Sequence, residues 1–162
     1  MMSRKEVTMS ECCTVPSKSV PPTCPMNSHV TKPVGYQTVE HLVTPEVKAV
    51  LLPQHYYFCD APDCDVVYVS ASGDHLITKH QLTVRVTVKE TEYPIPLCYC
   101  FGYDRQAVHT DIQLTDIHEL IMQRVRAGAC RCEQTNPSGR CCLSSVAKAI
   151  QQAHAMKEQG LL

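Results

Sequence analysis

YYFCDAPDCDVVYVS, from Tyr56 to Ser70, places two apolar runs on either side of an acidic turn, with a cysteine at each shoulder, Cys59 and Cys64. Tyr, Phe and Val favour extended chain, whereas Asp and Pro break it. The stretch therefore reads as strand, knuckle, strand. Working outward, YQTVEHLV from Tyr36 and LTVRVTVKE from Leu82 also read as strands; in the second, Leu82, Val84, Val86 and Val88 alternate with Thr83, Arg85 and Thr87. A short helix is expected from Pro45 to Leu51, with Thr44 as N-cap and Pro at the first position. Upstream, residues 1–23 are rich in Ser, Thr, Lys and Pro, end in Val20-Pro21-Pro22, and read as a mobile tail.

Pro94 and Pro96 mark a boundary, because proline removes a ladder donor and restrains the residue before it. Beyond it the period becomes helical. A short helix is expected over 104–112. A clearer one spans Asp116 to Ala127, with Asp116 and Glu119 as a capping box, Ile117, Leu120, Ile121 and Val125 as apolar face and Gly128 as stop. A third follows Cys142, with Leu143, Val146, Ala147 and Ile150 on one side. The expected organisation is α+β: a tail over 1–23, a small β-rich unit over 24–93 and a small α-helical unit over 94–162. Units of this size commonly draw stability from metals or disulfides.

The 162 residues contain 11 cysteines, so a full set of disulfides leaves one thiol over. The first ten residues, MMSRKEVTMS, lack the apolar stretch of a signal peptide, which points to a cytoplasmic protein in a reducing compartment. Metal binding then becomes the leading explanation. Lys and Arg total 15 against 16 acidic residues, which speaks against nucleic acid as a partner. No run approaches the ~18 apolar residues of a membrane span, so membrane insertion is not expected. No Ser/His/Asp set, phosphate loop or acidic pair stands out, leaving at most a metal-ion reductase-like activity.

Spacing divides the thiols. Cys59 and Cys64 on their turn need two more ligands for tetrahedral zinc. Cys24 comes near through the sheet. The fourth position is open to the tail thiols Cys12 and Cys13, which are favoured, then to His29, then to a three-thiolate site. In the second half, Cys98 and Cys100 in LCYCFGY precede CRCEQTNPSGRCC, which contains Cys130, Cys132, Cys141 and Cys142 around an Asn136-Pro137-Ser138-Gly139 turn. One residue between thiolates suits two ligands on one iron, and four such thiolates in two groups meet the needs of a 2Fe-2S cluster. Backbone amides near helix starts would offset its negative charge, with Gly102 and Gly139 allowing close approach. No CxxC occurs, which excludes a thioredoxin-like dithiol.

YYFCDAPDCDVVYVS, VKE, LCYCFGY and NPSGRCC together closely resemble the N-terminal domain of CopZ-type copper chaperones, from about Cys24 to Cys142. The helical part also resembles bacterioferritin-associated ferredoxin. The resemblance implies a zinc-bearing β unit joined to a helical 2Fe-2S unit. Carried over by motif, it gives Cys98, Cys100, Cys132 and Cys142 as cluster ligands, with Cys130 and Cys141 as neighbouring thiols that can substitute. It gives Cys24, Cys59 and Cys64 as zinc ligands; the family's remaining zinc cysteine is here Asn27, which motivates the tail pair Cys12 and Cys13, with Cys13 taken as the fourth ligand. The copper chaperones also have a heavy-metal-associated domain with a CxxC loop, and copper delivery by that loop is not carried over.

The expected function is one-electron transfer linked to copper or heavy-metal handling: the cluster takes an electron from a reductase or other donor protein and reduces Cu(II), and spare thiolates hold the Cu(I). Metal ions, that donor and a copper-transporting ATPase or other metal-handling protein are the expected partners. The alternative expectation is a redox- or iron-sensing interaction module with a structural zinc and a 2Fe-2S cluster.

Overall fold

The computed structural model describes residues 22–110 and 115–162. The expected tail, including Cys12 and Cys13, lies outside them. Four short strands, β1 (Lys32–Val34), β2 (Tyr56–Phe58), β3 (Val66–Ser70) and β4 (Leu76–Thr78), form one antiparallel sheet in that order. Tyr57 pairs with Pro33 on one side and Val69 on the other. β3 is buried throughout, because apolar groups cover both its faces. Val67 and Tyr68 join the main core with Val39, Tyr56, Phe58 and Ile77, while Val66 and Val69 pack with Cys24, Cys59 and Cys64. A register shift between Val66 and Tyr68 breaks strict alternation and permits this division.

Two expected strands are replaced. Tyr36–Leu42 is a helix, α1, starting from Gly35, with Thr38, Val39 and Leu42 buried. Its apolar residues recur at Tyr36, Val39, Leu42 and Val43, which is helical spacing; the β-branched content of the segment had suggested extended chain. The Leu82–Glu90 segment is not a strand of the sheet. Leu82 bridges to Val43, and the amide and hydroxyl of Thr83 both donate to the carbonyl of Leu42. The segment is thus held by the corner after α1. A tight turn of 3-10 helix at Thr87–Lys89 then reverses the alternation, exposing Val88 and burying Lys89. The helix from Pro45, α2, ends at Lys48 rather than Leu51.

The second half opens on a two-stranded ribbon, β5 (Pro96–Cys98) and β6 (Tyr103–Asp104), which the helical period did not foretell. Between these strands Gly102 takes φ 74° and donates its amide to the carbonyl of Cys98 at 2.9 Å. Helices α3 (Arg105–Thr110), α4 (Thr115–Arg126), α5 (Cys132–Thr135) and α6 (Leu143–Glu158) follow. α4 ends as its sequence predicts: Gly128 has φ 75° and donates to Val125, and Ala129 donates to Arg124, closing a Schellman turn. Ile117 and Ile121 are buried, whereas Leu120, expected on the same face, is exposed. They pack with Leu97, Val108 and the Val146, Ala149 and Ala153 face of α6.

The halves touch through the turn at 136–139. The Tyr68 hydroxyl donates to the carbonyl of Pro137 at 2.8 Å in a buried bond, and the Thr38 hydroxyl donates to the carbonyl of Glu133. Burial pushes the Tyr68 phenol well above its usual range, keeping it a neutral donor. Tyr99 also donates its hydroxyl to the carbonyl of Arg85, at 2.7 Å.

Candidate metal centres

Cys59 closes β2, its amide donating to Val67 at 2.9 Å, and Cys64 sits at the far side of the knuckle just before β3. Cys24 is brought to them by a tight loop in which its carbonyl accepts from Asn27 and Ser28 and its amide donates to His29. Ser28 takes φ 57° there. The three sulfurs lie within 4.8 Å of one another, and Cys24 and Cys64 are 3.8 Å apart. With Zn–S bonds of about 2.3 Å, thiolates on tetrahedral zinc stand about 3.8 Å apart, so the spacing fits the ion. All three are buried. Burial pushes the Cys24 thiol up to about 11, and the sulfurs of Cys59 and Cys64 add to the rise. Three thiols so packed hold negative charge only around a cation.

The fourth position is not supplied by His29 in this arrangement: its exposed imidazole pairs with Asp60 at 2.7 Å. Asn27, where the family resemblance expects a cysteine, instead turns its side-chain amide toward Cys59 Sγ at 3.9 Å and accepts the amide of His29 at 2.9 Å. Cys13, the favoured fourth ligand, lies outside the described residues.

Lys89 is the residue that sequence reading missed. It is 5 % exposed and its ammonium donates to the carbonyls of Ala61 and Cys64, both at 2.8 Å, tying the knuckle closed from beneath. Burial lowers its pKa, and the sulfurs of Cys59, Cys64 and Cys24 counteract that. An alternating strand would have put this lysine in solvent, so no local signal marked it.

The remaining described cysteines lie in the second half of the chain. Cys100 Sγ is 3.5 Å from Cys132 Sγ, and Cys130 Sγ is 3.2 Å from Cys132 Sγ. Cys98 is hydrogen-bonded to Cys142. The pairing therefore runs between the CYC group and the later group. Backbone donors converge on the sulfurs: the amides of Phe101 and Cys100 on Cys98, that of Arg131 on Cys100 at 3.2 Å and that of Cys142 on Cys132. The bond from Cys142, with those amides and the charge of Arg124 in support, outweighs burial and brings Cys98 down to about 7. Its partner Cys142 is pushed up by the same bond and by burial. Arg124 lies over the Phe101 ring, 5.0 Å from its centroid. Cys98, Cys132 and Cys142 are buried and Cys100 is half-buried, while only Cys100, Cys130 and Cys132 among these sulfurs lie mutually within 4.8 Å. Cys130 is half-buried beside this set, and Cys141 is exposed.

Comparison with known proteins bears on these centres. A zinc binding domain family, that of CopZ, matches residues 21–83. The copper chaperone CopZ of Archaeoglobus fulgidus is 36% identical over 88 residues, covering 54% of this chain and 42% of that protein. The match thus spans less than half of the relative's length. The X-ray structure of the Archaeoglobus fulgidus CopZ N-terminal domain superposes with a TM-score of 0.65 at 28% identity, covering 78% of this chain and 95% of that one. No helix among the described residues is long and apolar enough to cross a membrane. The buried three-cysteine knuckle lies inside the segment 21–83 that is similar to the zinc binding domain of CopZ.

Proposed function

We propose that this chain is an iron-sulfur electron-transfer protein of copper or heavy-metal handling. In this reading Cys98, Cys100, Cys132 and Cys142 hold a 2Fe-2S cluster, and Cys24, Cys59 and Cys64 hold a structural zinc with Cys13 as fourth ligand. The observation that carries it is the convergence of backbone amides on Cys98, Cys100 and Cys132, three of the four sulfurs, in a core closed by Leu97, Val108 and Val146. When bound, the cluster supplies storage of a single electron. The chain's own groups set the conditions for that: the amides and Arg124 offset negative charge, and the apolar core limits water.

The likeness to a protein named a copper chaperone supplies the substrate class. Cu(II) takes one electron and becomes Cu(I), a soft ion suited to the leftover thiolates Cys130 and Cys141. A reductase or other donor protein replaces the electron, and a copper-transporting ATPase or other metal-handling protein receives the product. The test begins with anaerobically purified protein, for which about two iron, two sulfide and one zinc per chain are expected. Adding Cu(II) to the dithionite-reduced protein should then remove the reduced-cluster EPR signal one for one. Zinc alone with no visible absorption, or an EPR signal indifferent to Cu(II), overturns the reading.

A further inference from the structure

The structure assigns an alternative metal site, for a soft monovalent ion such as Cu(I), to Cys100, Cys130 and Cys132. Their sulfurs lie within 4.8 Å of one another, with two of the separations at 3.5 and 3.2 Å. No fourth His, Cys, Asp or Glu ligand atom joins the group within that reach among the described residues. Soft thiolates suit both Cu(I) and zinc, and unlike Cys24, Cys59 and Cys64 this trio lies outside the segment 21–83 that matches a zinc binding domain. The site is also reachable: Cys130 lines an open cleft of about 200 Å³ with Arg131, Glu133 and Gln134. Cys98 and Cys142, buried and hydrogen-bonded to each other, are left aside.

Two of these three sulfurs are the ones the proposed cluster uses, so this inference rests in part on that reading. Cys100 and Cys132 can serve the cluster or the trio, not both. Cys130 is the swing thiol that distinguishes the two states, and Cu(I) uptake at the trio requires both irons and both bridging sulfides of the cluster to leave into solution. The exchange is of ligands only and moves no electron. The trio is thus a site of the cluster-free chain, whereas in the chain that still holds the cluster Cu(I) falls to Cys130 and Cys141.

The experiment is anaerobic transfer of Cu(I) from a chromogenic chelator to the full chain, with and without iron loaded, in the wild type, Cys130→Ser and Cys130→Ala. Iron, zinc and copper are measured in each sample, and retained zinc reports an intact β half in every variant. The iron-free wild type should take up one Cu(I) per chain without releasing zinc. Both Cys130 variants should bind it roughly 100-fold or more weakly, beyond the 10–100-fold typical of losing an outer-shell partner. In the iron-loaded wild type, the same addition should bleach the visible absorption, and Cys130→Ser should resist bleaching. Uptake by the Cys130 variants equal to wild type, or uptake matched by zinc release from Cys24, Cys59 and Cys64, overturns the proposal. Protein purified without iron would sink the electron-transfer reading, while the Cys130 comparison in the same chain would still decide the trio.

Discussion

Replacing Lys89 by Met keeps the apolar stem that fills the space under the knuckle and removes only the ammonium. The carbonyls of Ala61 and Cys64 then lose donors that stand at 2.8 Å. A hydrogen bond to a charged group contributes about 1.5–3 kcal/mol, and a buried acceptor left without a partner costs about 1–3 kcal/mol. Two stripped carbonyls would cost several kcal/mol between them, partly offset because no ammonium has to be desolvated. A net loss of about 3 kcal/mol is expected, which is roughly 100-fold in an equilibrium constant. Folding of a small metal domain and metal binding are one linked equilibrium, so the loss should show in apparent zinc affinity as well as in unfolding. The assay is zinc competition against a chromogenic chelator, paired with denaturant unfolding of the zinc-loaded chain. Lys79→Met is the control: Lys79 makes a surface pair with Asp65 at 3.3 Å, and such pairs contribute about 0–1 kcal/mol. Lys89→Met protein with zinc affinity within about threefold of wild type, a difference of under about 1 kcal/mol, would refute the clamp.

Two further outcomes follow from the same geometry. Gly139→Ala should destabilise the contact between the halves by roughly 1–3 kcal/mol, because Gly139 has φ 66° and a Cβ there would stand 3.2 Å from Val34 Cγ2 and 3.3 Å from Thr38 Oγ1. Unfolding curves should show it, and an unchanged midpoint would contradict it. Asp60 tests the pH dependence: burial alone would raise its pKa, but hydrogen bonds from Lys32 and His29 prevail and hold the carboxyl below its usual value. A depressed carboxylate adds stability above its unfolded value of about 4, and that stability is lost as pH falls through the lower folded value. Asp60→Asn should therefore be less stable than wild type at neutral pH, with the difference shrinking under acid; a constant difference across that range would contradict the assignment.

Much of the fold was legible where a signal was local. The strands around Cys59 and Cys64, the stop at Gly128 and the Ile117/Ile121 face of α4 follow from turn chemistry and period. The misread segments are those where a neighbour overrode the pattern. Tyr36–Leu42 carries strand-forming side chains but packs through Thr38, Val39 and Leu42 as a helix. Leu82–Glu90 alternates, yet its bonds go to the corner at Leu42, so Lys89 turns inward.

The sequence by itself determined the kind of chemistry: clustered thiols without CxxC, a strand-flanked knuckle and a Pro-Ser-Gly turn between cysteines speak of metals from composition and spacing alone. Sulfurs one to five residues apart are constrained by the local chain, and Cys59 with Cys64 obeyed that logic. Only the tertiary structure decided which distant sulfurs meet. Cys24 reaches Cys64 across 40 positions, Cys100 reaches Cys132 across 32, and Cys130 rather than Cys98 completes the second close trio. Those separations are set by how the sheet, the ribbon and α6 pack, a balance of burial over the whole chain that no short motif encodes.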